Sequence, residues 1–415
     1  MRVAAPSDLS EFPCDIDLTD LDRFAAGFPH DLFTRLRAEA PVAFHPPTEH
    51  TPGGEGFWVL TRHADVTAAA RDGATFSSDT GGAREGGGTL IEDLPPSAAG
   101  VLMNMMDDPR HQQIRKLVSP QVSPKSLAAM EDDLRRRSEA MVDAVVEKGE
   151  CDFLVEVAAE LPLQAIARLL GVPMEDRHQL FAWANAALDY DDRDLGQSNE
   201  RTLAAAGAQY VYGGRLIEEK QKCPADDLLS AVVHAPFGTT REEQQMFFSL
   251  LIAAGSETTR NSIGAGLMAL IQHPDQWRRL QADRSLMTTA VEEMLRWGSS
   301  TPYNRRTATR DVEVGGKTIG AGDKVTLWWA SANRDEAVFA DPFRFDITRT
   351  PNPHVTFGHG VHFCLGAALA RMEIRLVFNA LLDRVDHAEM TGPPEWTRSN
   401  KHTGLRHVPV RLHPR

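Results

Sequence analysis

Two short stretches of this 415-residue chain carry residue types suited to redox and proton chemistry. The first, Phe357-Gly-His-Gly-Val-His-Phe-Cys-Leu-Gly366, stands immediately before a long helical pattern. A cysteine at a helix N-terminus gains from the positive end of the dipole and from amides without intrahelical partners, which favours the thiolate a metal ligand needs. Gly358 and Gly360 allow a turn tight enough to aim amides at sulfur and to approach a flat group closely. Other readings of the same residues exist. A lone cysteine is usually an inert small hydrophobe, and His359, His362 and Cys364 share the residue types of a zinc site. Zinc calls for a fourth ligand at short spacing, whereas Cys14, Cys151 and Cys223 are all remote.

The second stretch is Ala254-Gly-Ser-Glu-Thr-Thr259. Phe247, Leu251, Ala254 and Thr258 recur at helical spacing and so share one face. Small residues there, Ala254 and Gly255, let a helix backbone lie against a ring, and Glu257 and Thr258 offer a carboxyl and a hydroxyl for a proton route. Taken alone, the stretch reads as no more than a helix with a tolerated glycine. Three weaker constellations accompany it. Glu293 and Arg296 lie one turn apart, as many surface pairs do. His111 and Arg115, four apart, share a face. Arg305 and Arg306 are adjacent, each either a solvated charge or a planar fork for a carboxylate.

These residues need elements to position them. From Pro109 to about His273 the pattern is almost wholly helical, with breaks at Ser123-Pro124, Gly171-Val-Pro173 and Cys223-Pro224. Pro162 is expected to kink or break a helix running from Asp152 to Leu170. Further helices are expected over His63–Arg71, over Leu286–Trp297 and from about Leu365. Gly56–Leu60 reads as a strand, and short alternating strands lie between Asn304 and Trp329, turning at Gly315-Gly316 and Gly320-Ala-Gly322. The Gly-, Ser- and Pro-rich stretch Ser77–Gly100 is either a mobile lid over a pocket or a plain surface loop. The fold is therefore mainly α with a smaller β-rich part. With no linker of domain-boundary type, residues 1–415 read as one domain, 1–17 being a flexible N-terminal segment.

Composition excludes some functions. Lys plus Arg number 44 against 58 Asp plus Glu, a formal charge of −14, which argues against a general nucleic-acid binder. Four scattered cysteines without a CxxC pair suit a reduced, cytoplasmic setting. The N-terminus has no signal-like apolar run, and the apolar stretch near Phe247–Gly255 is too short to cross a bilayer.

FGxGxHxCxG opening a helix resembles the cysteine-ligand loop of the cytochrome P-450 superfamily, and Ala254–Thr259 resembles the A-G-x-[DE]-T-T motif of its central helix. The likeness runs from about Asp17 onward. Glu160-Leu-Pro-Leu-Gln-Ala-Ile166, Glu257-Thr-Thr-Arg-Asn-Ser-Ile263, His273-Pro-Asp-Gln-Trp277 and Ser331-Ala-Asn-Arg-Asp335 resemble an actinobacterial group. That group includes sterol side-chain and methyl-branched lipid hydroxylases and members without an assigned substrate. The resemblance implies a cytochrome P-450 fold with haem b between the central long helix and the cysteine loop. Cys364 is then the iron's axial ligand, with Phe357 near the sulfur and Gly358, Gly366, Ala254 and Gly255 against the cofactor. His111, Arg115, Arg306 and His362 contact the propionates. Thr258 organises protons at bound dioxygen and Glu257 is the acidic relay. Glu293 and Arg296 have a fold role, with Arg344 as a partner in the stretch before the loop. Family position also suggests Met103, Met105, Phe247, Leu251, Thr301, Pro302 and Thr403 as pocket liners.

The implied function is monooxygenation of a hydrophobic small molecule such as a sterol, branched lipid or terpenoid. No flavin or nicotinamide fingerprint is visible, so electrons are expected from an external ferredoxin and its reductase, docking on a basic patch that includes Arg110, Lys116 and Arg371. The alternatives are a biosynthetic oxidase performing coupling or desaturation, and a haem sensor or carrier without turnover.

Overall fold

The computed structural model describes residues 12–82, 84–188 and 193–415. Of the segment 1–17 expected to be flexible, residues 1–11 lie outside the described residues. The remainder is not loose: Phe12 and Ile16 are buried in an aromatic cluster with Phe33, Phe57 and Trp328.

A 32-residue helix, Arg241–Gln272, runs through the helical part. Thr240 and Glu243 close a reciprocal capping box at its start. The helices Glu160–Leu170, Arg177–Leu188, Glu200–Lys222, Met287–Gly298 and Ala367–Arg384 all pack on it. It is accordingly buried on most sides, which suits its lack of a single apolar stripe. The helix that follows the cysteine, Ala367–Arg384, also packs along Pro124–Lys148. The expected break at Pro162 falls slightly earlier. A π-helical turn, Leu154–Ala158, gives way to the helix Glu160–Leu170, and Pro162 occupies its first turn, where a missing amide costs little.

The β-rich part is a five-stranded sheet in the spatial order Val42–His45, Phe57–Leu60, Lys324–Trp328, Tyr303–Ala308 and Phe76–Ser77. Phe57–Leu60 runs parallel to Lys324–Trp328; the other neighbours are antiparallel. Because side chains alternate along Tyr303–Ala308, the neighbours Arg305 and Arg306 point to opposite faces.

That alternation decides the fate of the 77–100 stretch, which is fastened rather than a free lid. Arg305 donates to the carbonyls of Leu90 (3.2 Å) and Glu92 (3.3 Å) and to Asp93 (2.7 Å). Arg84 bridges Glu55 and Asp93, each at 2.5 Å, and Lys324 lies 3.2 Å from both carboxylates. A buried lysine, Lys401, donates to the carbonyls of Thr89 (3.1 Å) and Tyr303 (2.8 Å) and to Asn304 Oδ1 (2.7 Å). No described helix is long and apolar enough to cross a membrane.

Candidate active site

Cys364 follows a 3-10 turn, Gly360–His362, and precedes the helix Ala367–Arg384 by two residues. Its amide donates to the Phe357 carbonyl at 2.8 Å, which closes the loop. The Gly366 amide reaches the sulfur. The two loop glycines have different reasons. Both have positive φ, +71° at Gly358 and +74° at Gly360. A Cβ on Gly360 would collide with the Ala70 carbonyl, whereas one on Gly358 would meet only the His362 carbonyl, 3.8 Å away. Gly360 thus fits the loop against the helix His63–Arg71, whereas Gly358 is required by its backbone conformation and not by crowding.

Cys364 retains accessible surface, yet burial is what pushes its thiol up, against the opposing pull of the Gly366 amide, Arg115 and Arg371. The accessible cysteine therefore sits in a recess of the fold. The central helix leaves a hollow along one uncovered stretch. Ala254 is exposed although Ile252, Ser256 and Glu257 around it are buried, and Leu251 and Thr258 are half-buried. Thr258 donates its hydroxyl to the Ala254 carbonyl at 2.9 Å. Glu257 lies behind this face, with Oε1 3.7 Å from Arg260 Nη2. Gly255 is not on the hollow's side. A Cβ there would press on Ile166 at 2.9 Å, so the glycine serves the packing of the helix Glu160–Leu170. Residue i+1 on a helix is turned by about 100° from its neighbour, which separates Ala254 from Gly255.

Basic side chains, two arginines and two histidine rings, crowd one end of the cysteine loop. The rings of His111 and His362 lie 4.2 Å apart. Arg115 donates to the Phe363 carbonyl at 2.5 Å, and the buried Arg306 to the Arg305 carbonyl at 2.8 Å. Burial, then Arg306, His111 and Arg115, push the His362 ring down to about 2. Arg306 falls to about 10 through burial, opposed by Asp107. Asp107 is itself engaged by Ser77 Oγ (2.5 Å) and the Ser78 amide (2.8 Å). Groups that repel one another so strongly suit a ligand carrying more than one carboxylate.

These features fit haem: an amide-bonded thiol in a recess, a bare alanine on the central helix, and basic side chains for two propionates. They do not fit zinc. His359 Nε2 is met by Arg71 Nε at 2.6 Å, His362 turns to His111, and no group of three or more His, Cys, Asp or Glu among the described residues is placed to hold a metal ion.

The pair Glu293–Arg296 is wholly buried, with Arg296 Nε and Nη2 each 2.7 Å from a carboxylate oxygen. Arg296 also donates to the carbonyls of Asn333, Pro342 and Arg344. Arg344 therefore takes part through its backbone; its own side chain is exposed. The second guanidinium on Glu293 is that of Arg349, 3.2 Å from Oε2. Sequence reading missed Arg349 because no periodicity links it to Glu293.

The expected basic docking patch is also changed. Arg110 is paired with Glu243 through two bonds of 2.7 and 2.6 Å, and Arg371 with Glu292 at 2.6 and 2.8 Å while lying over the Phe357 ring. Their charges are neutralised within the fold. Lys116 stays exposed and donates to Gln112, at a surface depression of about 570 Å³ that Arg115, Gln112 and Val361 also line. Of the suggested pocket liners, Met103, Met105, Phe247 and Pro302 are buried, while Leu251, Thr301 and Thr403 keep some accessible surface.

An accessible cysteine in a loop that opens a long helix, basic side chains at one end of that loop, and an acid–alcohol pair beside a bared alanine on the central helix are the parts of a haem-thiolate oxygenase. The comparisons agree. The Cytochrome P450 family profile matches residues 217–412. The chain is 50% identical over 404 residues to cytochrome P450 126 of Mycobacterium tuberculosis, across 96% of this chain and 97% of that protein. It is 39% identical over 411 residues to the methyl-branched lipid omega-hydroxylase of the same species, across 95% and 94% of the two chains. A Mycobacterium marinum cytochrome P450 solved in complex with pseudoionone superposes with a TM-score of 0.87 at 35% identity, covering 97% of this chain and 100% of that one. The chain belongs to the cytochrome P450 family. It is a monooxygenase with the fold expected from its sequence, and its cofactor is haem b.

Proposed function

We propose that this enzyme hydroxylates an unactivated C–H bond of a hydrophobic small molecule, of the sterol, methyl-branched lipid or terpenoid kind. The observation that carries this reading is the bared Ala254 face, bordered by Leu251 and Thr258 on a helix that is otherwise buried. The methyl-branched lipid omega-hydroxylase relative supports the lipid class.

Cys364 holds the iron as a thiolate, because a bound metal cation reverses the burial that otherwise keeps the thiol protonated. His111, Arg115, Arg306 and His362 bind the propionates, relieving the mutual repulsion of the cluster. Haem supplies the dioxygen activation that no side chain here can perform. The chain's own part is proton control and orientation. Thr258 Oγ1, one rotation away from its bond to the Ala254 carbonyl, holds a proton toward the hollow, and Glu257 resupplies it. Leu251, Ala254, Thr301, Pro302 and Thr403, with Met103, Met105 and Phe247 behind them, orient an apolar substrate and exclude water. Glu293, Arg296 and Arg349 fix the stretch before the ligand loop. Electrons come from a ferredoxin and its reductase, the ferredoxin docking at the depression beside Arg115 and Lys116. The chain works as one domain, in the cytoplasm.

The test is a spectral screen of sterols, branched fatty acids, terpenoids and aromatics for ligands that move ferric iron from low to high spin. Each hit is followed by turnover with ferredoxin and reductase. A hydroxylated product from a lipid-like hit is expected. A hit that is coupled or desaturated without oxygen insertion, or never turned over, refutes hydroxylation.

A further inference from the structure

Five buried polar atoms on two facing segments lack hydrogen-bond partners among the described residues: Glu257 Oε2, Arg260 Nε, Asn261 Nδ2, His402 Nδ1 and Thr403 Oγ1. A buried polar group left unpaired costs about 1–3 kcal/mol, so such groups are few in native proteins and generally have a use. Here they gather in one neighbourhood. Glu257, Arg260 and Asn261 lie on one face of the central helix, at spacings of three and four. That face receives the segment 402–405: the Leu405 amide donates to Asn261 Oδ1 at 3.2 Å, and a Cβ on Gly404 would lie 3.6 Å from Asn261 Nδ2. The same segment is tied to the Thr258 side. The Thr403 amide donates to the Ser300 carbonyl at 3.1 Å, Ser262 Oγ reaches Ser300 Oγ at 3.5 Å, and Ser262 Oγ donates to the Thr258 carbonyl at 2.9 Å.

Among the described residues the ion-pair partner of Glu257 is Arg260, and 3.7 Å is too long for a hydrogen bond. Arg260 is not held by the carboxylate alone, since its guanidinium lies 5.1 Å over the Phe181 ring. The carboxyl of Glu257 is thus loosely held on one side and has an unpaired oxygen on the other.

We propose that His402 is a positioning residue for Glu257: its free ring nitrogen is the second partner of the carboxyl, which alternates between the Arg260 guanidinium and the His402 ring. The inference rests on Glu257 being the acid that resupplies Thr258. Turned towards Arg260 the carboxyl points away from Thr258; turned towards the His402 ring it is placed to pass a proton to Thr258. Burial lowers the His402 ring, Lys401 and Arg260 lower it further, and Glu257 raises it. The charged groups around the pair are therefore Arg260 and Glu257 on the central helix, Lys401 beside His402, and Arg406, whose charge Arg260 feels.

The test compares His402→Leu, His402→Asn and Glu257→Gln in the holoenzyme. Asparagine places an amide atom where the ring nitrogen Nδ1 stood; leucine does not. With each variant, the fraction of consumed electrons recovered in product is measured across pH, together with substrate affinity by spin-state titration. His402→Leu is expected to lose about tenfold in product-forming rate, with substrate affinity unchanged and the pH profile altered. His402→Asn is expected to restore most of it. A second readout does not involve turnover: the His402 ring pKa, from histidine-labelled ferrous carbonyl protein, should fall in Glu257→Gln. An unmoved ring pKa, or equal losses in the leucine and asparagine variants, overturns the role of His402. Normal coupling in Glu257→Gln itself overturns the underlying relay instead.

Discussion

Removing Arg349 should weaken the fold, whereas removing Arg344 should not, although Arg344 is the arginine that the sequence offers as partner of the Glu293–Arg296 pair. The Arg349 side chain is 10% exposed and meets Glu293 Oε2 at 3.2 Å. It also donates to the carbonyls of Ala340 (2.6 Å), Asp341 (3.2 Å) and Arg344 (2.9 Å). Orphaning a buried charge costs about 3–5 kcal/mol. Glu293 keeps Arg296 at 2.7 Å, the Asp346 amide at 3.0 Å and Asn352 Nδ2 at 3.2 Å, so its charge is not orphaned. The loss in Arg349→Met should therefore lie just below that range, at about 2–3 kcal/mol, much of it from carbonyls left without a donor. Arg344→Ala removes an exposed side chain and leaves the carbonyl that Arg296 and Arg349 use, so it should stay within about 0.5 kcal/mol of the parent. Urea unfolding of the ferric holoenzyme, followed by its visible band, measures both. Because the stretch before the cysteine is what Arg349 secures, haem should also leave the variant faster. Equal midpoints for Arg349→Met and the parent, or a loss in Arg344→Ala as large as in Arg349→Met, refute the reasoning.

Other outcomes follow from the same geometry. Thr258→Ala should keep consuming dioxygen while product falls about 10- to 100-fold and hydrogen peroxide appears, measured as product formed per electron donor oxidised. Glu373 is pushed well above 4.5 by burial, opposed by a hydrogen bond with Thr259. Its folded state thus binds a proton that the unfolded chain releases, and the parent loses stability as pH rises above 4.5 towards the folded value, by at most about 1.4 kcal/mol per pH unit. Glu373→Gln should therefore gain on the parent with rising pH and match its trend at or below 4.5, as denaturation midpoints across pH will show. Lys401→Met removes the donor to Thr89, Tyr303 and Asn304, and amide exchange of residues 84–94 should quicken while that of the central helix stays unchanged.

Candidate units of the site were legible wherever their residues are also close in sequence. The cysteine loop, the acid–alcohol pair and His111 with Arg115 each sit on one turn or one helix face, and local geometry alone puts them side by side. What faces such a unit is not encoded locally. Gly255 reads as a gap for a ring, and the structure fills that gap with Ile166. Arg110 and Arg371 read as free surface cations, yet Glu243 and Glu292, both distant in sequence, neutralise them. The loop 77–100 has the composition of a mobile segment, and only the assembled sheet brings Glu55, Arg305, Lys324 and Lys401 to hold it. His402 carried no motif signal; it became visible as an unpaired buried nitrogen on a segment packed against a helix that carries other unpaired atoms. The strands between Asn304 and Trp329 came close to their observed bounds because alternation and paired glycines mark them within a few residues.

Ferrous carbonyl spectra of the parent and of Cys364→His bear on the thiolate itself. The parent should show the long-wavelength Soret band typical of thiolate ligation, and the histidine variant a band of the imidazole type if it retains haem. A parent protein that stays colourless with haemin, or whose carbonyl band is already of the imidazole type, contradicts ligation by Cys364.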